Sequence, residues 1–148
     1  MHLIVYTSDY IGNHTNIAEQ LSDITATSKI NNPKQHITGA LFYHQGKFLQ
    51  LIEGEQEQLE ILMLRLEKDQ RHNNIQRLID EKIEARKLPE WNMDSLNLDK
   101  DRQLKQHELQ LLTDVYKENL IVNTDAVLHF YKSMLKNRLL FKQDSTAN

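Results

Sequence analysis

The chain of 148 residues contains no cysteine. Disulfides, thiolate metal sites and a cysteine nucleophile are thereby excluded. Glycine occurs only four times and proline only twice, too rarely for long structureless stretches. Neither sign of charge dominates: 18 Lys and Arg stand against 21 Asp and Glu, a formal net charge of −3. The basic footprint of a nucleic-acid binder is missing. No apolar run approaches the roughly 20 residues that a membrane helix needs. Met1 to Ser8 holds a short apolar run without a basic leader or a small-residue cleavage site, so it does not read as a signal peptide. These absences point to a soluble cytoplasmic protein with no membrane or nucleic-acid partner. What is present, 39% hydrophobic and 26% charged residues, suits one globular domain with a proper core.

Leu3 to Thr7 is rich in β-branched and aromatic side chains and predicts a strand covered on both faces. Asp9 to Thr15, with Gly12 and Asn13, predicts a loop. Asn16 is placed to cap a helix, with Glu19 as its reciprocal partner. Ile17, Leu21, Ile24 and Ser28 follow at helical spacing. Asn31-Asn32-Pro33 should end that helix, because the residue before a proline avoids helical dihedrals. Ile37 to Tyr43 and Lys47 to Glu53 read as strands joined by a tight turn at Gln45-Gly46. That turn sets Tyr43 opposite Phe48 and Leu41 opposite Gln50. It puts these four on one face with Ile52, and Ala40, Phe42, Leu49 and Leu51 on the other.

Gln56 to Gln70 predicts a second helix with Leu59, Leu62, Met63 and Leu66 as its core stripe. Asn73-Asn74 should interrupt. Ile75 to Ile83 and Trp91 to Met93 are weaker strands, with Pro89 between them. The order β-α-β-β-α-β-β is an α+β, ferredoxin-like sheet with an added strand and both long helices on one face. Residues 101–148 read as a helical pair: Leu104, Leu111, Leu112 and Val115 form one stripe, and Val127, Phe130, Tyr131, Met134 and Leu135 another behind a cap at Asn123 or Thr124. This C-terminal helical pair is expected to cover the second apolar face.

Gln50 is the residue that most needs an explanation. It shares its face with Leu41, Tyr43, Phe48 and Ile52, and a buried amide without partners costs about 1–3 kcal/mol. Tyr6, on the strand face of Ile4 and Ser8, likewise seeks a partner for its phenol. Each alone has an ordinary reading as a satisfied core residue. Asn31 and Asn32 are first of all helix terminators, yet their carboxamides also suit a planar ring with alternating C=O and N–H groups. Arg65 and Asp69 are spaced for an ion pair within the helix. His72 reads as a residue near a helix C-terminus, placed well against the dipole.

Other chemistries fare poorly. The seven His show no HxxxH or HExxH arrangement, so no metal site is expected. GxGxxG, GxxxxGK[ST] and GxSxG are all absent. Glu53, Glu55 and Glu57 read as solvated charges. The amphipathic C-terminal segments are read as packed structure rather than as membrane anchors.

Taken together, six blocks in order resemble the BLUF domain, the sensor of blue light using FAD. They are Leu3-Ile-Val-Tyr6-Thr-Ser8, Asn31-Asn32, Ile37-Thr-Gly-Ala-Leu41, Phe48-Leu-Gln50-Leu-Ile-Glu-Gly54, Asp69-Gln-Arg-His72 and Trp91-Asn-Met93. The chain looks most like the short, stand-alone members with extra C-terminal helices: residues 1–95 as the flavin-binding domain, and 96–148 as a helical extension packed on the sheet. The resemblance implies FAD between the two long helices, with Ile24 and Leu66 flanking its ring. Asn31, Asn32 and Arg65 would bond the ring's polar edge, with Asp69 and His72 near the site. Tyr6 and Gln50 would form a hydrogen-bonded chain to the flavin. Light would make the phenol a donor and make the carboxamide rotate or tautomerise, shifting the absorption to the red. Trp91 and Met93, on the last strand, would relay the change, and either could be the inward neighbour of Gln50. Two positions depart from the pattern. His36 stands where many members have Gly, and Leu88-Pro89 where an aromatic commonly precedes the Trp.

The implied function is a photoreceptor, not an enzyme, whose output is binding to a downstream protein or a change in a homo-oligomer. The alternative is a flavin-free ferredoxin-like interaction module in which Tyr6 and Gln50 bond each other. A flavin enzyme is a further rival, disfavoured by the lack of a nicotinamide motif.

Overall fold

The run of β-branched and aromatic residues near the start of the chain forms β1 (His2–Tyr10) in a computed structural model that describes residues 1–99. Ile4, Tyr6 and Ser8 take one face of this strand and Leu3, Val5 and Thr7 the other, and all six are buried. With β2 (Thr38–His44), β3 (Lys47–Gly54), β4 (His72–Lys82) and β5 (Asn92–Asn97), β1 forms a sheet of order β4-β1-β3-β2-β5. β1 lies antiparallel between β3 and β4, and β2 pairs antiparallel with β3. β5 runs parallel to β2 at the edge.

Helices α1 (Ile17–Asn31) and α2 (Gln56–Lys68) both pack on the Tyr6 face. Ile17 and Leu21 join Leu41, Tyr43 and Phe48 in one cluster. Leu59 and Met63 join Ile4, Tyr6 and Ile52 in the other, with Leu62 and Leu66 packed against it. This is the expected α+β, ferredoxin-like arrangement with an added strand. Met1 to Asn97 forms one compact unit. The expected C-terminal helical pair lies outside the described residues. Among those described, no helix is long and apolar enough to cross a membrane.

The β2–β3 turn has φ of 47° at Gln45 and 80° at Gly46, the pair of positive values that a two-residue hairpin turn favours. It sets Tyr43 opposite Phe48 and Leu41 opposite Gln50, the register read from the sequence.

Several local expectations need correction. Asn16 does not cap α1. It ends a 3-10 turn (His14–Asn16), makes no side-chain capping bond, and the Asn13 carboxamide accepts from the Thr15 N–H instead, at 3.0 Å. β1 extends to Tyr10, so the loop is shorter than expected. Asn32 does not avoid helical dihedrals: it sits at φ −65°, ψ −39° and leads into a second 3-10 turn, Pro33–Gln35. Pro33 opens that turn, where its missing N–H costs nothing. His36 then has φ 55°, a left-handed conformation that accounts for the glycine preferred there. Asn73-Asn74 does not interrupt the fourth strand. β4 starts at His72, and a register irregularity there holds Asn74 at φ 55°, which Asn tolerates better than most residues. The last strand begins at Asn92 and so leaves Trp91 outside it.

Candidate functional site

A cleft opens where α1 and α2 meet the sheet. Its walls are the helical stripes Ile24, Ser28, Asn31 and Leu62, Arg65, Leu66, and its floor is Tyr6, Leu41, Phe48 and Gln50. Its enclosed volume is about 160 Å³, and the cleft is open to solvent at its mouth. Tyr6, Ile24, Asn31, Asn32, Gln50, Arg65, Leu66, Asp69 and His72, singled out in the sequence, all line it. Thr27, Ser28, Leu62 and Arg71 also line it; the sequence names Ser28 and Leu62 only as members of helical stripes. The spacing of Ser28 from Ile24 and Asn31, and of Leu62 from Leu66, is the helical period that could have assigned those two to the site.

Tyr6 and Gln50 face each other across β1 and β3. The Tyr6 hydroxyl donates to Gln50 Oε1. Gln50 Nε2 donates to Met93 Sδ at 3.0 Å. The three side chains are 1%, 4% and 1% exposed, so this short chain is shielded from solvent. Burial pushes the Tyr6 phenol far above its ordinary value, and the nearby Asp69 carboxylate pushes it the same way. Tyr6 therefore keeps its proton throughout the physiological range.

Met93, not Trp91, is the neighbour of Gln50. Alternation along a strand had left both open. The pairing of β2 with β5 shifts register between Gly39 and Ala40, and Met93 at the shift has φ 53°. A bulge of this kind re-aims a side chain. Gly39 makes room for it: a Cβ there would sit 2.2 Å from the Leu51 carbonyl oxygen and 3.0 Å from the Met93 methyl. Trp91 is buried but does not line the cleft.

The cleft also holds polar groups with capacity to spare. Asn32 is 3% exposed, and its Nδ2 has no hydrogen-bond partner. A buried donor left unsatisfied costs about 1–3 kcal/mol. Arg65 is exposed at the rim. It does not pair with Asp69 as the spacing suggested, because α2 ends at Lys68 and Asp69 is extended at φ −72°, ψ 119°. Asp69 instead pairs with the Arg71 guanidinium and accepts the Arg71 N–H at 3.0 Å. The Arg71 hydrogen bond holds the Asp69 carboxyl below its usual range, against the opposing pull of burial. His72 is seated in β4 rather than at the helix end, yet its Nε2 donates to the Leu66 carbonyl in the last turn of α2, at 2.7 Å. With Nε2 carrying that proton, Nδ1 of the neutral ring accepts from Ser8 Oγ, also at 2.7 Å. The His72 ring lies 6.3 Å from that of Tyr6.

A donor-rich cleft with apolar walls suits a flat heteroaromatic ring bearing carbonyl acceptors. The unpartnered Asn32 amide, the Arg65 guanidinium and the Gln50 carboxamide supply its polar complement, and Ile24, Leu62, Leu66 and Phe48 its apolar one. The fold and cleft define a ferredoxin-like α+β domain with a candidate small-ligand site between its two helices. The chain belongs to the BLUF family, sensors of blue light using FAD, whose family model matches residues 1–94.

The subunits of a photoactivated adenylate cyclase of Euglena gracilis are among its relatives. The alpha subunit is 30% identical over 82 residues, 55% of this chain and 8% of its own length. The beta subunit is 34% identical over 76 residues, 51% and 9%. The chain thus spans under a tenth of these relatives. A bacterial light-regulated adenylyl cyclase superposes with a TM-score of 0.65 at 33% identity, covering 88% of this chain and 36% of that one. BlsA in its photo-activated state gives 0.65 at 26%, covering 88% and 91%. The dark-state BLUF protein BlrB gives 0.63 at 25%, covering 90% and 93%. The chain is a flavin-based blue-light sensor, and the matched region is the sensor, not the cyclase, of the larger relatives.

Proposed function

We propose that this chain holds FAD in the cleft between α1 and α2, with residues 1–95 as the flavin-binding domain and 96–148 as a helical extension. It signals through light-driven rearrangement of the Tyr6–Gln50 hydrogen bonds. The output passes to a cytoplasmic partner protein or to a change in self-association, without catalytic turnover. The observation that carries the reading is the buried Tyr6–Gln50–Met93 chain opening on a cleft whose Asn32 amide lacks a partner.

When bound, the flavin supplies a light-excited state that is a strong oxidant. Tyr6 is the fitting donor beside it: a neutral phenol with its proton already directed at the Gln50 carbonyl oxygen. Gln50 has a donor end and an acceptor end of nearly equal size. It can turn over or tautomerise within its pocket and change what it offers to Tyr6, to Met93 and to the cleft. Its amide nitrogen is held only by a thioether, a weak acceptor, so that end gives way most easily. Asn31, Asn32 and Arg65 would hold the polar edge of the ring, Ile24 and Leu66 would confine it, and Asp69 and His72 would close the remaining wall.

The test is the visible absorption of the purified, flavin-loaded protein before and after a blue flash. The reading expects the whole flavin band to move to the red and return in the dark without bleaching. A bleached or unmoved band would contradict it. The mutual Tyr6–Gln50 bond is also what a flavin-free interaction module would show. A folded, colourless protein that refuses flavin would favour that module, and steady NAD(P)H oxidation would favour an enzyme.

A further inference from the structure

Glu53 has no role in the cleft. It lies on β3, three residues beyond Gln50 and on the opposite face, and is wholly buried. Its carboxylate accepts the Leu88 N–H at 2.6 Å, the Lys87 N–H at 2.8 Å and the Thr38 hydroxyl at 2.9 Å. Arg86 closes the arrangement from outside. Its guanidinium donates to Thr38 Oγ1 at 2.9 Å, to the Glu53 carbonyl at 3.1 Å and to the His36 carbonyl.

What Glu53 grips is the lead-in to Met93. Leu88 is fully buried, and its carbonyl accepts the Trp91 N–H at 3.1 Å. Pro89 is thus the second residue of a tight turn, the place its fixed φ favours. The Trp91 carbonyl then accepts the Gly39 N–H at 2.9 Å, and the bulged Met93 follows. One strand therefore holds both ends of this segment: Glu53 fixes its start, and Gln50 meets its end at the Met93 sulfur. Between these ends the segment is closed by one backbone hydrogen bond across the turn, and a second ties Trp91 to Gly39 on β2.

We propose that Glu53 is a positioning residue for the light response, setting where Met93 offers its sulfur to Gln50. This rests on the photoreceptor reading above. It accounts for a charged group buried in contact with neither the cleft nor solvent. It also gives Leu88-Pro89, a departure from the family pattern, a defined place in the segment.

The experiment compares flavin-loaded full chains: wild type, Met93→Ala, Glu53→Ala and the double variant. The readouts are the size of the light-induced red shift and its dark-recovery rate. Glu53→Ala should keep flavin and keep the shift, because Gln50 and Tyr6 are intact. Its recovery rate should differ from wild type by about threefold or more, and the double variant should recover like Met93→Ala alone, since coupled sites are not additive. A wild-type recovery rate in Glu53→Ala would overturn the proposal. So would effects that multiply in the double variant. If Glu53→Ala does not fold, Glu53→Gln keeps the shape and one acceptor oxygen and is read in the same way. Trp91 is the chain's one tryptophan, so its emission reports on this segment directly. In the dark it should move to the red in the Glu53 variant, and an unmoved emission would overturn the proposal. A wild-type protein that shows no red shift at all would sink the photoreceptor reading, while Trp91 emission would still decide whether Glu53 grips the segment.

Discussion

Gln50 and Glu53 are two buried polar side chains on one strand, 4% and 0% exposed, yet they are satisfied in opposite ways. Glu53 accepts from two backbone N–H groups and a hydroxyl, all within 2.9 Å. Two of its three donors are backbone N–H groups, which no side-chain rotation can turn away. Gln50 is held by side chains at both ends, a phenol and a thioether, and both bonds can be remade by a turn of its amide. The same strand thus carries a locked polar group on one face and a poised one on the other. Burial alone does not separate structure from switching. The kind of partner does.

Breaking the poised side should have the larger functional effect. Tyr6→Phe deletes the hydroxyl that Gln50 accepts and should abolish the light-induced red shift while flavin stays bound, measured by flash spectroscopy. The same variant tests the phenol's environment. The burial of Tyr6 raises its pKa, so it should stay protonated where ordinary tyrosines ionise, near pH 10. Alkaline titration at 295 nm should then show the same ionising absorbance near that pH in wild type and in Tyr6→Phe. The sign for stability follows from proton binding. Above about pH 10 the unfolded chain gives up this proton while the folded one keeps it, so stability falls as pH rises through that range. Tyr6→Phe should lose less stability there, and an equal loss would count against a buried neutral phenol.

Breaking the locked side should cost stability first. Glu53→Ala takes the acceptor from the buried Leu88 N–H and from two half-buried donors, the Lys87 N–H and the Thr38 hydroxyl, and a buried donor left unpaired costs about 1–3 kcal/mol. A loss of about 1–3 kcal/mol in urea unfolding is expected, against little effect on flavin binding. Gly39→Ala sharpens the boundary between the two sides. Its Cβ would meet the Leu51 carbonyl oxygen at 2.2 Å, so β2 and β3 must part locally, and both stability and the Gln50–Met93 contact should suffer. The smallest effect is expected at the edge of the Arg86 clamp. His36→Gly relieves a left-handed φ of 55° and should raise stability by about 1 kcal/mol, with the light response unchanged.

The poised half of this contrast was legible in the sequence, and the locked half was not, for physical reasons. The hairpin register followed from Gln45-Gly46, and it alone put Gln50 with Leu41, Tyr43 and Phe48. The helical stripes through Ile24 and Leu66 followed from their period. The choice between Trp91 and Met93 could not follow, because period-two alternation breaks at a bulge and nothing in a methionine announces φ 53°. The Arg65–Asp69 pair failed because the helix ends one residue too soon. Asn32 was read as avoiding helical dihedrals, whereas a second turn opening at Pro33 lets it keep them. Glu53 was read as a solvated charge. Its backbone partners lie 34 and 35 residues onward, a pairing that local pattern does not encode.

The most direct test of the poised amide is the light-minus-dark absorption spectrum of flavin-loaded Gln50→Leu beside wild type. Leu fills a similar volume and leaves Asn32 and Arg65 in place, but it can neither accept from Tyr6 nor donate to Met93. The account predicts a bound flavin with no red shift in the variant and a reversible red shift in wild type. A normal red shift in Gln50→Leu would contradict it.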